Sequence, residues 1–137
     1  MITEESLMLI LDEGISSEAL QKAIKKQGVA CEMLIQHFER GTPDETWLPA
    51  IGQKGWILLC KDRRIAKNTI EYTALMNAHV GAFFLVSANI SGQQIIECVT
   101  KAIPAMMQIV RTQQKPFLAK IYKNGKMKIW QARQSQH

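Results

Sequence analysis

The sequence predicts an α/β protein, a doubly wound and largely parallel sheet in a three-layer α/β/α arrangement, ending in a β-hairpin. Three observations lead there. Short apolar runs of strand length alternate with capped segments of helical period. Two of those runs, residues 7–11 and 56–60, stop abruptly on charged residues, at Asp12-Glu13 and Lys61-Asp62-Arg63-Arg64. Late in the chain Asn124-Gly125 joins the strand-like runs "PFLAKIY" and "KMKIW", the strongest short signal for a hairpin.

Taken in order, residues 7–11 form the first strand. Ser16 or Ser17 caps a helix whose Leu20, Ala23 and Ile24 share a face; Lys25 and Lys26 suit its C-terminal dipole end, and Gly28 stops it. Residues 29–35 read as a second strand, interrupted in polarity by Glu32. In "GTPDETWLPAIGQKG" Thr42 is expected to cap a helix, with Pro43 in its first turn and Glu45 completing a capping box. Trp47, Leu48 and Ile51 supply its packed face, and Pro49 comes early enough to be tolerated. Residues 56–60 are the third strand, residues 68–77 a shorter helix, and "VGAFFLVS" the fourth strand. Ser91 begins a long amphipathic helix, with Ile95, Ile96, Val99, Ile103, Met106 and Val110 on one side and a kink expected at Pro104. The hairpin follows, so one domain is expected over residues 1–137, with its core at about 7–130 and a loose tail at 131–137.

Composition narrows the function. A hydrophobic fraction of 47% with 21% charged residues is that of an ordinary globular chain rather than a disordered one. The acidic start Thr3-Glu4-Glu5 is unlike a signal peptide, and the longest apolar run is too short to span a bilayer. Cys31, Cys60 and Cys98 lie isolated among apolar neighbours, without metal-ligand spacing, and read as buried free thiols. A cytoplasmic location is expected, with no membrane partner. The net charge of +5 is unevenly held: residues 98–137 carry 8 Lys/Arg and no Asp or Glu, against 9 and 12 before them. That division suggests an anionic partner, or else a solvated basic tail. On the first view, neutralising Lys115, Lys120, Lys123, Lys126 and Lys128 should weaken binding of that partner and flatten its salt dependence.

Asp12, Asp44 and Asp62 are the three aspartates of the chain. Two follow strands, and the third begins the helix before the third strand. In a doubly wound sheet the functional crevice lies beyond the carboxyl ends of the strands. If the first and third strands are neighbours, these carboxylates can converge there. Carboxylates so placed repel unless a cation compensates, and a hard divalent ion such as Mg²⁺ or Mn²⁺ takes oxygen ligands while keeping waters for chemistry. Each residue also has a plainer use. Asp12 can cap a turn, Asp44 and Glu45 can serve the helix N-terminus, and Asp62 can pair with Arg63 or Arg64.

The stretches "LDEGIS", "GTPDETWLPAIGQKGWILLCKDRRI", "VGAFFLVS" and "RTQQKPFLAKIY" together resemble PIN-like domains of the VapC toxin class, over about residues 7–123. The resemblance implies an Mg²⁺- or Mn²⁺-dependent endoribonuclease, the toxin of a toxin–antitoxin pair, with RNA and a cognate antitoxin as partners and a homodimer possible. Asp12, Asp44 and Asp62 match its catalytic, metal-binding acids. Glu13 and Glu45 are reserve ligands, and Asp44 is preferred over Glu45 because of the capping box. Arg63, Arg64, Lys115 and Lys120 are the expected substrate contacts. The sequence departs from the family where a fourth acid is common, reading Ser87-Ala88-Asn89 instead.

That departure keeps open a non-catalytic module of the same fold that binds RNA or a protein partner. A phosphoacceptor receiver domain would use Asp62 but leave Asp44 without a role. A nucleotide-dependent oxidoreductase is disfavoured, since no Gly-x-Gly-x-x-Gly follows the first strand.

Overall fold

The computed structural model describes residues 7–61, 69–86 and 90–130. A six-stranded sheet is sandwiched between two pairs of helices. Its strands are β1 (Met8–Leu11), β2 (Ala30–Met33), β3 (Ile57–Lys61), β4 (Gly81–Val86), β5 (Phe117–Tyr122) and β6 (Met127–Trp130). The helices are α1 (Glu18–Lys26), α2 (Asp44–Lys54), α3 (Thr69–Asn77) and α4 (Gly92–Thr112). Spatial order is β2-β1-β3-β4-β5-β6. Every pairing is parallel except the last, β5 with β6. The predicted α/β class, mainly parallel sheet and C-terminal hairpin are all present.

Alternation along the strands divides the core into two layers. Leu9, Leu11, Ile57, Leu59, Phe83 and Leu85 point to the side of α1 and α4, meeting Leu20, Ile24, Val99, Ile103 and Met106. Ile10, Leu58, Cys60, Phe84 and Leu118 point the other way, onto Trp47, Leu48, Ile51 and Leu75. Burial on both faces explains why the strands read as continuous apolar runs rather than alternating ones.

Local chemistry sets the helix ends. Ser17 accepts from the Leu20 amide at 3.0 Å, and Gly28, at φ +87, terminates α1 while its amide donates to the Lys25 carbonyl. Ser91 and Gln94 form a reciprocal capping box at the start of α4. That helix runs on through Pro104 to Thr112. In the β5–β6 connection Tyr122 N donates to Lys126 O and Gly125 N turns back to Tyr122 O, giving a three-residue loop with Gly125 at φ +86.

Two expectations are corrected. The run 29–35 is not one strand: β2 ends at Met33, and residues Leu34–Gln36 form a 3-10 turn. Gln36 Oε1 takes the Met33 amide at 2.8 Å, which turns the chain out of the sheet. Nor does Thr42 cap α2. Its hydroxyl donates to the Glu39 carbonyl, Pro43 occupies the cap position at φ −63 and ψ 149, and no side chain caps the helix. Because the helix starts one residue later than expected, Glu45 falls at its second position instead of the third, where a capping box needs it.

Candidate functional site at the carboxyl edge

The sheet order makes β1 and β3 neighbours, with Leu9, Ile10 and Leu11 beside Ile57, Leu58 and Leu59. Asp12 extends this pairing by donating its amide to the Leu59 carbonyl at 3.0 Å. The first predicted carboxylate therefore stands at the carboxyl end of β1, tied to the strand whose sequence continues into Asp62. Asp12 is half-buried, and its Oδ2 accepts from the Gly14 amide at 3.1 Å. The turn-capping use foreseen for this aspartate is thus real. It also fixes the carboxylate's orientation.

Glu13 is exposed and pairs with Arg40 at 2.9 Å. That contact links the turn after β1 to the loop before α2, and sequence spacing gave no sign of it, since the partners are 27 positions apart. Glu13, Phe38, Thr42 and Trp47 line one small crevice. The turn after β1 and the entry to α2 therefore meet at one place.

Asp44 and Glu45 are both exposed residues of the first turn of α2. Acids there interact favourably with the helix dipole. The missing capping box removes the ground for setting Glu45 aside, and the two carboxylates now stand on equal terms.

Asp62, Arg63 and Arg64 lie outside the described residues, as do Ser87 and Asn89. Among the described residues no group of three or more His, Cys, Asp or Glu side chains is arranged to hold a metal ion. The acids at this edge nonetheless offer only carboxylate oxygens, a donor set suited to Mg²⁺ or Mn²⁺, and Mg²⁺ commonly uses one or two protein carboxylates with waters.

The two lysines expected to contact substrate are placed differently. Lys120 is a half-buried residue in the middle of β5, between Phe84 of β4 and Lys128 of β6. Lys115 precedes β5, at the amino edge of the sheet, opposite to Asp12. Its ammonium donates to the Gly55 carbonyl at 2.8 Å, closing the C-terminal end of α2. Burial lowers its pKa below the ordinary lysine value.

The three cysteines are buried and none forms a disulfide. Burial pushes the Cys31 thiol up to about 12, which keeps it protonated and unreactive. No helix among the described residues is long and apolar enough to cross a membrane.

Comparison with known proteins adds one positive finding. Searches of curated proteins and of solved structures returned no match. A family described as "PIN like domain" matches residues 8–87, from the start of β1 to just past β4, and so spans Asp12, Asp44 and Asp62. With more than half of the chain covered, a parallel sheet of the expected kind and an acid at the end of its first strand, the protein belongs to the PIN-like domain family.

Proposed function

We propose that this chain is a Mg²⁺- or Mn²⁺-dependent endoribonuclease, and that it acts as the toxin of a toxin–antitoxin pair. The observation that carries the reading is Asp12 at the carboxyl end of β1, hydrogen-bonded to β3, within a PIN-like domain. PIN-like domains are often nucleases. In this reading Asp12, Asp44 and Asp62 hold the ion, with Glu45 an equivalent choice to Asp44 and Glu13 in reserve. A hard divalent ion so held lowers the pKa of a bound water and stabilises charge on a phosphodiester during in-line displacement.

The chain's own residues have three tasks. The Gly14 amide on Asp12 Oδ2 keeps that carboxylate aimed. The first turn of α2 brings further carboxylate oxygens. Arg63, Arg64 and Lys120 neutralise RNA phosphates, whereas Lys115 is committed to Gly55 at the far edge. A cognate antitoxin and a second copy of the chain are the partners this role implies.

The test is cleavage of single-stranded RNA by purified protein under Mg²⁺ or Mn²⁺ titration, with Asp62→Asn as the control. Metal-dependent cleavage lost in the variant, with the circular dichroism spectrum unchanged, supports the reading. A variant that cuts as fast as the parent overturns it. The stretch Ser87-Ala88-Asn89, where the sequence has no fourth acid, favours one second reading, a PIN-like module that binds RNA or protein without cutting. RNA binding by a parent that shows no cleavage with either metal would select it.

A further inference from the structure

Between the first half of α4 and the β5–β6 loop lies a cavity of about 180 Å³, lined by Gln94, Glu97, Cys98, Lys101 and Lys123. Its walls are fastened to each other. Cys98 Sγ donates to the Tyr122 carbonyl at 3.1 Å, joining helix to hairpin. The Lys101 stem lies against Gly125, where an added Cβ would come within 2.7 Å of Lys101 Cδ. Glycine at this position therefore serves the left-handed turn and also seats the lysine methylenes. Gln94 Oε1 accepts from the Ser91 amide at 2.9 Å, which fixes the oxygen end of its side chain and turns the amide NH₂ away from the cap.

The charges in this cavity are not spent on one another. Glu97 Oε2 accepts from Gln93 Nε2 at 3.3 Å, and among the described residues the ion pairs involve neither Lys101 nor Lys123. Two ammonium groups and one carboxylate leave a single net positive charge. That complements the one negative charge of a phosphodiester better than the nearly double charge of a free phosphate at neutral pH. The volume is below the ~300 Å³ of a pocket that encloses a drug-sized ligand, so it suits one linkage of a longer chain. Because β5 ends beside β4 with Tyr122 opposite Val86, the cavity opens at the same edge of the sheet as Asp12.

We propose that this cavity is a phosphate subsite for single-stranded RNA, in which Lys101 and Lys123 hold one backbone phosphodiester away from the cleavage position. The subsite rests on the ribonuclease reading and deepens it by naming where the strand is gripped. Such contacts fix the register of a nucleic acid without reading its sequence.

The test is fluorescence anisotropy of a labelled oligouridylate in EDTA, where binding is read without cleavage, from about 50 to 200 mM salt. Lys101→Gln/Lys123→Gln removes one phosphate contact and should lower the log–log salt slope by about 0.7, so that Kd rises about 2.6-fold less than the parent's across that range. Lys101→Arg/Lys123→Arg should restore the parent slope. An unchanged slope in the Gln variant, equal loss in the Arg variant, or no RNA binding by the parent overturns the subsite. Full displacement of the RNA by inorganic phosphate at matched ionic strength would make this a free-phosphate site and overturn the RNA assignment. The two readings fail differently. A parent that binds with the predicted slope change but never cuts retains the subsite and loses the nuclease, whereas cleavage with an unchanged slope does the reverse.

Discussion

Replacing Gly52 with alanine sets helix propensity against a backbone clash. Gly52 lies in α2, and a Cβ there would stand 2.1 Å from the Ala78 carbonyl oxygen and 3.4 Å from Val80 Cγ2. Carbon–oxygen contacts settle at about 3.3 Å or more, so roughly 1.2 Å of separation has to be found. The obstacle is main chain and cannot rotate aside as a side chain would. Propensity alone favours alanine by about 1 kcal/mol. Overpacking costs about 1–3 kcal/mol and occasionally more, and a backbone clash belongs at the upper end. The expected net effect is a destabilisation of about 1–2 kcal/mol, or a fall in Tm of roughly 3–10 °C for a chain of this size. The assay is thermal unfolding followed by circular dichroism, with Gly92→Ala as the control. Gly92 opens α4, and a Cβ there meets nothing within 4 Å, so that variant should melt at or above the parent. A Gly52→Ala protein that also melts at or above the parent would refute the close approach of α2 to the chain after α3. The contact bears on the proposed metal site because the opposite end of α2 carries Asp44 and Glu45.

Other perturbations test other parts of the account. Ser91→Ala removes the hydroxyl that accepts from the Gln94 amide, leaving the backbone half of the α4 capping box, and should cost about 1 kcal/mol, read as a lower urea midpoint at constant m-value. Because burial lowers the Lys115 pKa from 10.5, the unfolded chain binds more protons between the folded value and 10.5, and stability should rise with pH across that window. Lys115→Met should flatten that rise in urea melts at alkaline pH; an identical pH dependence would contradict the buried placement. The three buried thiols should resist a thiol reagent at mildly alkaline pH in the native protein and all react once it is denatured. Prompt native labelling of Cys31 would contradict its enclosure.

The parts legible in the sequence were those fixed by local chemistry. Ser17 and Gly28 bound α1 because a cap hydroxyl and a left-handed glycine act within a few residues. The adjacency of β1 and β3 was reachable only as a condition, since it depends on the whole sheet closing in one order. In residues 29–35 the apolar run does not distinguish a strand from a strand followed by a 3-10 turn. Thr42 looked like a cap, but its hydroxyl found a competing acceptor in Glu39 O, which spacing rules do not weigh. The basic C-terminal part, residues 98–137, is visible as charge, yet charge has no address. Lys115 crosses to a carbonyl 60 positions earlier, while Lys101 and Gly125 meet only because α4 and the hairpin pack together.

The central claim is that carboxylates from β1, from the start of α2 and from the sequence after β3 share one divalent ion. An electron paramagnetic resonance titration of Mn²⁺ into the parent and into Asp12→Asn, Asp44→Asn and Asp62→Asn tests it most directly. The account predicts a site of one Mn²⁺ per chain, weakened about tenfold or more by Asp12→Asn and by Asp62→Asn, with the Asp44 variant deciding between that residue and Glu45. Parent protein without a bound Mn²⁺, or one whose Mn²⁺ affinity is indifferent to both Asp12→Asn and Asp62→Asn, would contradict it.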